Sequence, residues 1–127
     1  MVDIEKRILV EQFIDAYNRF DVDGMLALLA PDVSFENVAD GQVTATTSGI
    51  EEFRQLAEQS KALFSERKQI ITALNFRPAS VVASIAWRGV FAIDVPNGPA
   101  AGTAIELEGE SEFEFSGERI SRIVDRS

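Results

Sequence analysis

The chain has 127 residues, 46% of them hydrophobic, and a formal charge of −9, with neither histidine nor cysteine. That length makes one domain, residues 1–127, able to bury roughly two-thirds of its unfolded surface, and its nine Phe and one Trp argue for a compact core over disorder. The acidic balance excludes a nucleic-acid partner and disfavours anionic membranes, while the two missing residue types remove thiol chemistry, disulfides, the usual base near neutral pH and tetrahedral zinc sites.

An enzyme built from this chain must therefore work with Asp, Glu, Tyr, Arg, Ser or bound water, and no metal or cofactor is expected. No apolar run approaches the roughly 20 residues of a spanning helix. The N-terminus reads as an acidic amphipathic segment and not as a secretory signal, so a cytoplasmic protein is the expectation.

In "DIEKRILVEQFIDAYNRF", Leu9, Phe13, Ala16, Tyr17 and Phe20 recur at the spacing of one helical face. Asp15 is placed to pair with Arg19 one turn later. Asp21 is a cap for a second helix, "VDGMLALLA", which Pro31 should stop. A short strand follows in "DVSFEN" and should give way to a loop. Its alternation puts Val33, Phe35 and Asn37 on the inner face. Ser48 and Glu51 have capping-box spacing before a third helix, whose stripe is Ile50, Phe53, Ala57, Ser60 and Phe64.

The second half reads as four strands, "KQIITALNF", "SVVASIAWRGVFAIDV", "TAIELEGESEFEF" and "RISRIVD", separated by turn-rich stretches. Helices first and strands afterwards predict an α+β domain, with three N-terminal helices packed on a curved, mostly antiparallel sheet. In the third of these strands Glu106, Glu108, Glu110, Glu112 and Glu114 form a ladder on one face. Alternate residues on a strand stand roughly 7 Å apart, too far to converge on one ion. The ladder is expected to be a solvated face, neutralised by Arg88, Arg119 or Lys68 on neighbouring strands.

"FIDAYNRFDVDGMLALLAPDVSFEN", "SGIEEFRQLAEQ" and "SEFEFSGERISRIVD", in that order, resemble the SnoaL-like, nuclear transport factor 2-like superfamily, which includes ketosteroid isomerases and limonene epoxide hydrolases. The resemblance implies a cone with an apolar pocket open at one end, and homodimers through the sheet. Matched position by position, the isomerases' general-base Asp falls on Asn37, their oxyanion-hole Tyr on Phe13 and their protonated Asp on Ser111. None of those groups is kept, so ketosteroid isomerase chemistry is not expected. The epoxide hydrolases' Asp–Arg–Asp set finds no two inward Asp residues here. SnoaL-like cyclases carry an acidic acid/base near the position of Asp125.

Substrate contacts are expected from Phe13, Tyr17, Phe35, Asn37, Phe53, Trp87, Ser111 and Phe113. Tyr17 either reaches the pocket or packs its ring in the core with its hydroxyl on a carbonyl. Trp87 is a pocket wall or a core filler, and its indole N–H needs a partner in either role. Tyr17 and Asp125 are the weak catalytic candidates, although a solvated, frayed end is the simpler expectation for Asp125. Arg122 is expected outward, on the glutamate ladder. The loop "DVPNGPAAG" either covers the pocket mouth or is a plain hairpin connection. The expected function is a pocket for a hydrophobic, oxygenated molecule, uncharged or weakly anionic, acted on by a cofactor-free isomerase, cyclase or lyase. The alternative is a binding or assembly module without catalysis, which a pocket lacking inward ionisable groups would favour.

Overall fold

A computed structural model describes residues 1–127. Its elements are α1 (Asp3–Asn18), α2 (Val22–Leu26), β1 (Leu29–Ala39), β2 (Gln42–Ser48), α3 (Ile50–Leu63), β3 (Phe64–Phe76), β4 (Val81–Phe91), β5 (Ala104–Ser116) and β6 (Arg119–Arg126). The strands form one six-stranded sheet in the order β2-β1-β6-β5-β4-β3. Every pair is antiparallel except β1 with β6.

The α+β class holds, but the three helices are not consecutive. A β1–β2 hairpin separates α2 from α3, where the sequence reading has a loop. Its turn is Asp40-Gly41, both at positive φ (52° and 77°), the backbone that a tight hairpin demands and that Asp-Gly supplies. "QVTATTS" carries little apolar alternation to mark it as a strand, because most of it is exposed at the sheet edge.

The second helix also ends earlier than expected. Asp21 caps it, accepting from Gly24 N at 2.9 Å, but Leu29 and Ala30 already belong to β1. Pro31 lies within that strand, in a stretch where the register to β6 skips from Leu29 to Ser34. A residue without an N–H is tolerated where the ladder is interrupted. At α3 the cap is Gly49, not Ser48, and the expected capping box does not form, because glycine has no side chain to close it. The Ser48 N–H donates to Glu52 at 2.9 Å, and Glu51 takes no part.

Val10, Phe13 and Ile14 of α1, Met25 of α2 and Phe53 of α3 pack on the inner sheet face against Val33, Phe113 and Ile123. Phe13 meets Phe53 and Phe113 at ring-centroid distances of 6.3 and 5.9 Å. Bulges interrupt β2 at Thr44 opposite Asn37, β3 after Ile71 and the β5–β6 ladder after Glu114. Each adds local twist, which bends the sheet around the helices. The last bulge explains why "RISRIVD" does not alternate. Ser121 is the extra residue, so Ile120 and Ile123 are both buried while Arg122 is exposed, and Asp125 shares the parity of Ile123.

On the outer face Arg126 holds Glu110 and Glu112, each at 3.0 Å, and Arg122 pairs with Glu114. Arg88 stands opposite Glu106 in register. Arg119, expected among these partners, instead donates to the carbonyl of Ala27 at 2.7 Å, at the C-terminal end of α2. Lys68 faces Arg88 across β3–β4 and has no carboxylate partner.

Candidate functional site

The bent sheet and the helices enclose a cavity of about 450 Å³. α1 contributes Phe13 and Tyr17 to its wall, and α3 contributes Phe53. β1 contributes Phe35 and Asn37, β4 Trp87, and β5 Ser111 and Phe113. All eight side chains named as substrate contacts thus border one space. No residue of the loop from Asp94 to Gly102 does so. That loop is a plain hairpin connection, closed by the Ala101 N–H on Asp94 at 2.8 Å and by Val95 N on Pro99 O at 2.8 Å.

Asp125 lies in the same wall, and the frayed end expected for it is not observed. Ser127, just beyond, is tied on both sides, its N–H to Val38 O at 2.9 Å and its carbonyl to Asp40 N at 3.0 Å. Asp125 sits beside Asn37 on β1 and beside Ser111 on β5. The Ser111 hydroxyl donates to Asp125 Oδ1 at 2.6 Å, and Oδ2 has no protein partner. Asp125 as a whole residue is only partly buried, yet its carboxyl group is enclosed by protein. Burial pushes its pKa from an ordinary 3.8 up to about 6, against the opposing pull of the Ser111 hydrogen bond.

Asn37 points inward with Val33 and Phe35, as its parity requires. Its amide nitrogen donates to Thr44 Oγ1 at 2.7 Å, across the hairpin, which leaves the amide oxygen without a protein donor. The bond fixes the direction in which the amide points.

Tyr17 reaches the cavity, and its hydroxyl bonds an indole instead of a carbonyl: Trp87 Nε1 donates to it at 2.9 Å. Trp87 is held in turn by Phe64, 5.2 Å away and edge-on, and it lies over Gly89, where any side chain would collide with the indole. Since Tyr17 Oη already accepts that bond, its own O–H remains to donate. Burial raises its pKa above the usual 10, with Arg67 and the Trp87 hydrogen bond pulling down and Asp125 pushing up. At neutral pH it is a donor and not a base.

Several residues of this wall escape the sequence reading, among them two polar ones next to Tyr17. Arg67 and Gln69, on β3, border the cavity next to Tyr17. The end of α1 is clamped to this strand: Asn18 Nδ2 donates to Gln69 O at 3.0 Å and accepts from Gln69 N at 2.7 Å. Arg67 Nε adds a bond to the Tyr17 carbonyl at 3.1 Å. The available signal is the alternation of "RKQI", in which Arg67 and Gln69 share a face opposite Lys68; Arg67 is 6% exposed.

The sheet bent around three helices is the nuclear transport factor 2-like fold, here enclosing a cavity with a mostly apolar lining. The family model for the SnoaL-like domain matches residues 10–123, and the chain belongs to that family. Among solved structures it is similar to a candidate polyketide cyclase from Xanthomonas campestris pv. campestris, at 25% identity and a TM-score of 0.79 over 97% of this chain and 90% of the other. An NTF2-like protein of unknown function from Burkholderia pseudomallei aligns at 21% identity and 0.78, over 95% and 88%. An LEH-like epoxide hydrolase from M. tuberculosis aligns at 20% and 0.76, over 97% and 82%. The last two likenesses are of fold alone. No curated protein sequence matches this chain.

Proposed function

We propose that this protein is a cofactor-free acid/base catalyst that moves a proton on carbon next to a carbonyl in a hydrophobic substrate, as an isomerase, cyclase or lyase would. The observation that carries the reading is Asp125, a carboxyl group enclosed in the cavity wall with a pKa of about 6 and one oxygen free of protein partners. Such a group is ionised often enough at pH 7 to accept a proton and basic enough to hold it. The carbonyl oxygen gains negative charge as the proton leaves, and the Tyr17 hydroxyl, held by Trp87 and next to Gln69, is the donor for it. The proton then returns from Asp125 to carbon, closing the cycle without a cofactor. Asn37 and Ser111 position the base, one beside it and one bonded to it. The likeness to a candidate polyketide cyclase supports a substrate of that oxygenated kind.

Ketosteroid isomerase is not the reading, because Phe13 and Asn37 line the cavity with no acid/base group. An Asp–Arg–Asp water site is not supported either, since Asp125 is the one aspartate in the wall. Binding without chemistry would suit a cavity with no inward ionisable group, and this one has Asp125 and Arg67. We also infer a homodimer through the outer sheet face. Its glutamates would repel a second copy, but Arg122 and Arg126 already neutralise three of them.

The test is exchange of the α-hydrogens of 2-tetralone in D2O, followed by NMR. The wild type should exchange them well above buffer. Asp125→Asn, which preserves an acceptor for Ser111, should lose on the order of 100-fold or more, the usual worth of a positioned base. Equal exchange by both proteins would remove Asp125 from the chemistry.

A further inference from the structure

Arg67 is a buried cation with no anion. It is 6% exposed, and no Asp or Glu comes within ion-pair distance of it. Its Nε is used on the Tyr17 carbonyl, and its guanidinium carbon lies 3.8 Å from the centre of the Tyr17 ring and 4.5 Å from that of Phe20. Phe20 is held at a positive φ of 59°, which is strained for a bulky residue, and this backbone brings its ring to the guanidinium. Both rings support the cation through their faces without neutralising its charge. Beyond the Tyr17 side chain on which the guanidinium stacks, no group of the protein engages its Nη donors, and the residue borders the cavity.

A buried charge is normally paired, because leaving it alone is expensive. A scaffold role accounts for the Nε bond and the stacked rings. It does not account for a fork of donors left without an anion on the wall of a mostly apolar cavity. Guanidinium forks match the geometry of a carboxylate, which they bind through two parallel bonds.

We propose that Arg67 is an anion anchor and that the ligand of this cavity is an apolar carboxylic acid, its carboxylate on the Arg67 fork and its body against the aromatic walls. The inference replaces the uncharged or weakly anionic molecule that the sequence suggests. It deepens the reading given above by naming the substrate's head group, and rests on the cavity as ligand site but not on Asp125 as base. Tyr17 feels the charges of both Arg67 and Asp125. Arg67, Tyr17 and Asp125 border the same cavity. On a protein of charge −9, Arg67 also supplies the local attraction that an anionic ligand needs.

The sole tryptophan, Trp87, sits in this wall and reports binding by its fluorescence. The probes are 3-cyclohexylpropanoate and 3-cyclohexylpropanamide, alike in shape and transparent where Trp is excited. The wild type should bind the acid at least tenfold more tightly than the amide. Arg67→Met, which keeps the stem and removes the charge, should bind the two equally and leave amide affinity within about threefold. Arg67→Lys should restore part of the preference. A merely structural arginine would alter affinity for both probes together. Equal binding of acid and amide by the wild type, needing no variant at all, overturns the anchor while leaving the cavity and Asp125 untouched. A preference that survives in Arg67→Met overturns it as well. If neither probe binds, the cavity is not the ligand site, and the anchor falls with it.

Discussion

The two faces of the β5–β6 pair place carboxylates one rung apart in opposite circumstances. On the outer face Glu112 accepts from Ser80 at 2.7 Å and from Arg126 at 3.0 Å. Those contacts, the Ser80 bond first, hold its pKa below the ordinary 4.5. On the inner face Asp125, beside Ser111 in register, has one hydroxyl donor, no cation at ion-pair distance and a pKa raised to about 6. The strands and residue class are the same. What differs is solvation and the company of arginines, and that difference moves the two carboxyls in opposite directions.

The largest effect should come from relieving the inner charge. A carboxyl whose folded pKa lies above its unfolded value binds its proton more tightly when folded, so its stabilising contribution is complete below the unfolded value and lost as pH rises through about 6. The rise from 3.8 to about 6 corresponds to on the order of 3 kcal/mol over the whole range, about half of it between pH 5 and pH 8. Asp125→Asn cannot ionise. Urea unfolding should find it more stable than wild type at pH 8, by about 1–3 kcal/mol, with the gap narrowing toward pH 5. A gap independent of pH would mean that the carboxyl titrates as an ordinary solvated one. Together with the loss of exchange, the expected result is a residue kept at a cost to stability.

The second effect acts on the same group through its neighbour. Ser111 lowers the pKa of Asp125 by donating to it, against the burial that raises it. Ser111→Ala should therefore move that pKa further up, and the alkaline shift should appear both in the pH profile of exchange and in the carboxyl carbon titration by NMR. An unchanged titration would show that the 2.6 Å bond does not persist in solution. The expected cost in stability is about 1 kcal/mol.

The inner face was only partly legible in the sequence, for reasons that lie in particular residues. Phe13, Tyr17, Phe35 and Trp87 follow from helical spacing and strand parity, because their strands run regularly up to them. Asp125 does not, since the bulge at Ser121 resets the alternation of β6, and a bulge depends on the partner strand. Arg67 is masked by the other charges of "SERKQ", where alternation places it inward but gives no sign that it lacks an anion. That fact depends on β3, α1 and Phe20 meeting in three dimensions. The β2 strand was hidden by its exposure, although Asp40-Gly41 marked its turn. The outer ladder was readable as a ladder, but its partners were not. Register pairs Arg122 and Arg126 with it, and takes Arg119 away to α2.

The smallest effect belongs to the outer face and bears on the dimer. Arg122 and Glu114 form an ion pair whose side chains are 45% and 37% exposed. Water screens such a pair, and ordering two long side chains offsets most of its attraction. In an isolated protomer Arg122→Ala should change unfolding free energy by less than about 0.5 kcal/mol, and added salt should hardly alter the difference. In a dimer joined through this face the arginine would be desolvated and its removal would leave Glu114 opposed to the carboxylates of a second copy. The substitution would then shift the mass measured by light scattering from dimer to monomer at tens of micromolar (roughly where a standard-size interface holds). A wild type already monomeric at that concentration would overturn the dimer directly. A dimer indifferent to Arg122→Ala would place the interface elsewhere and return the ladder to being a solvated face.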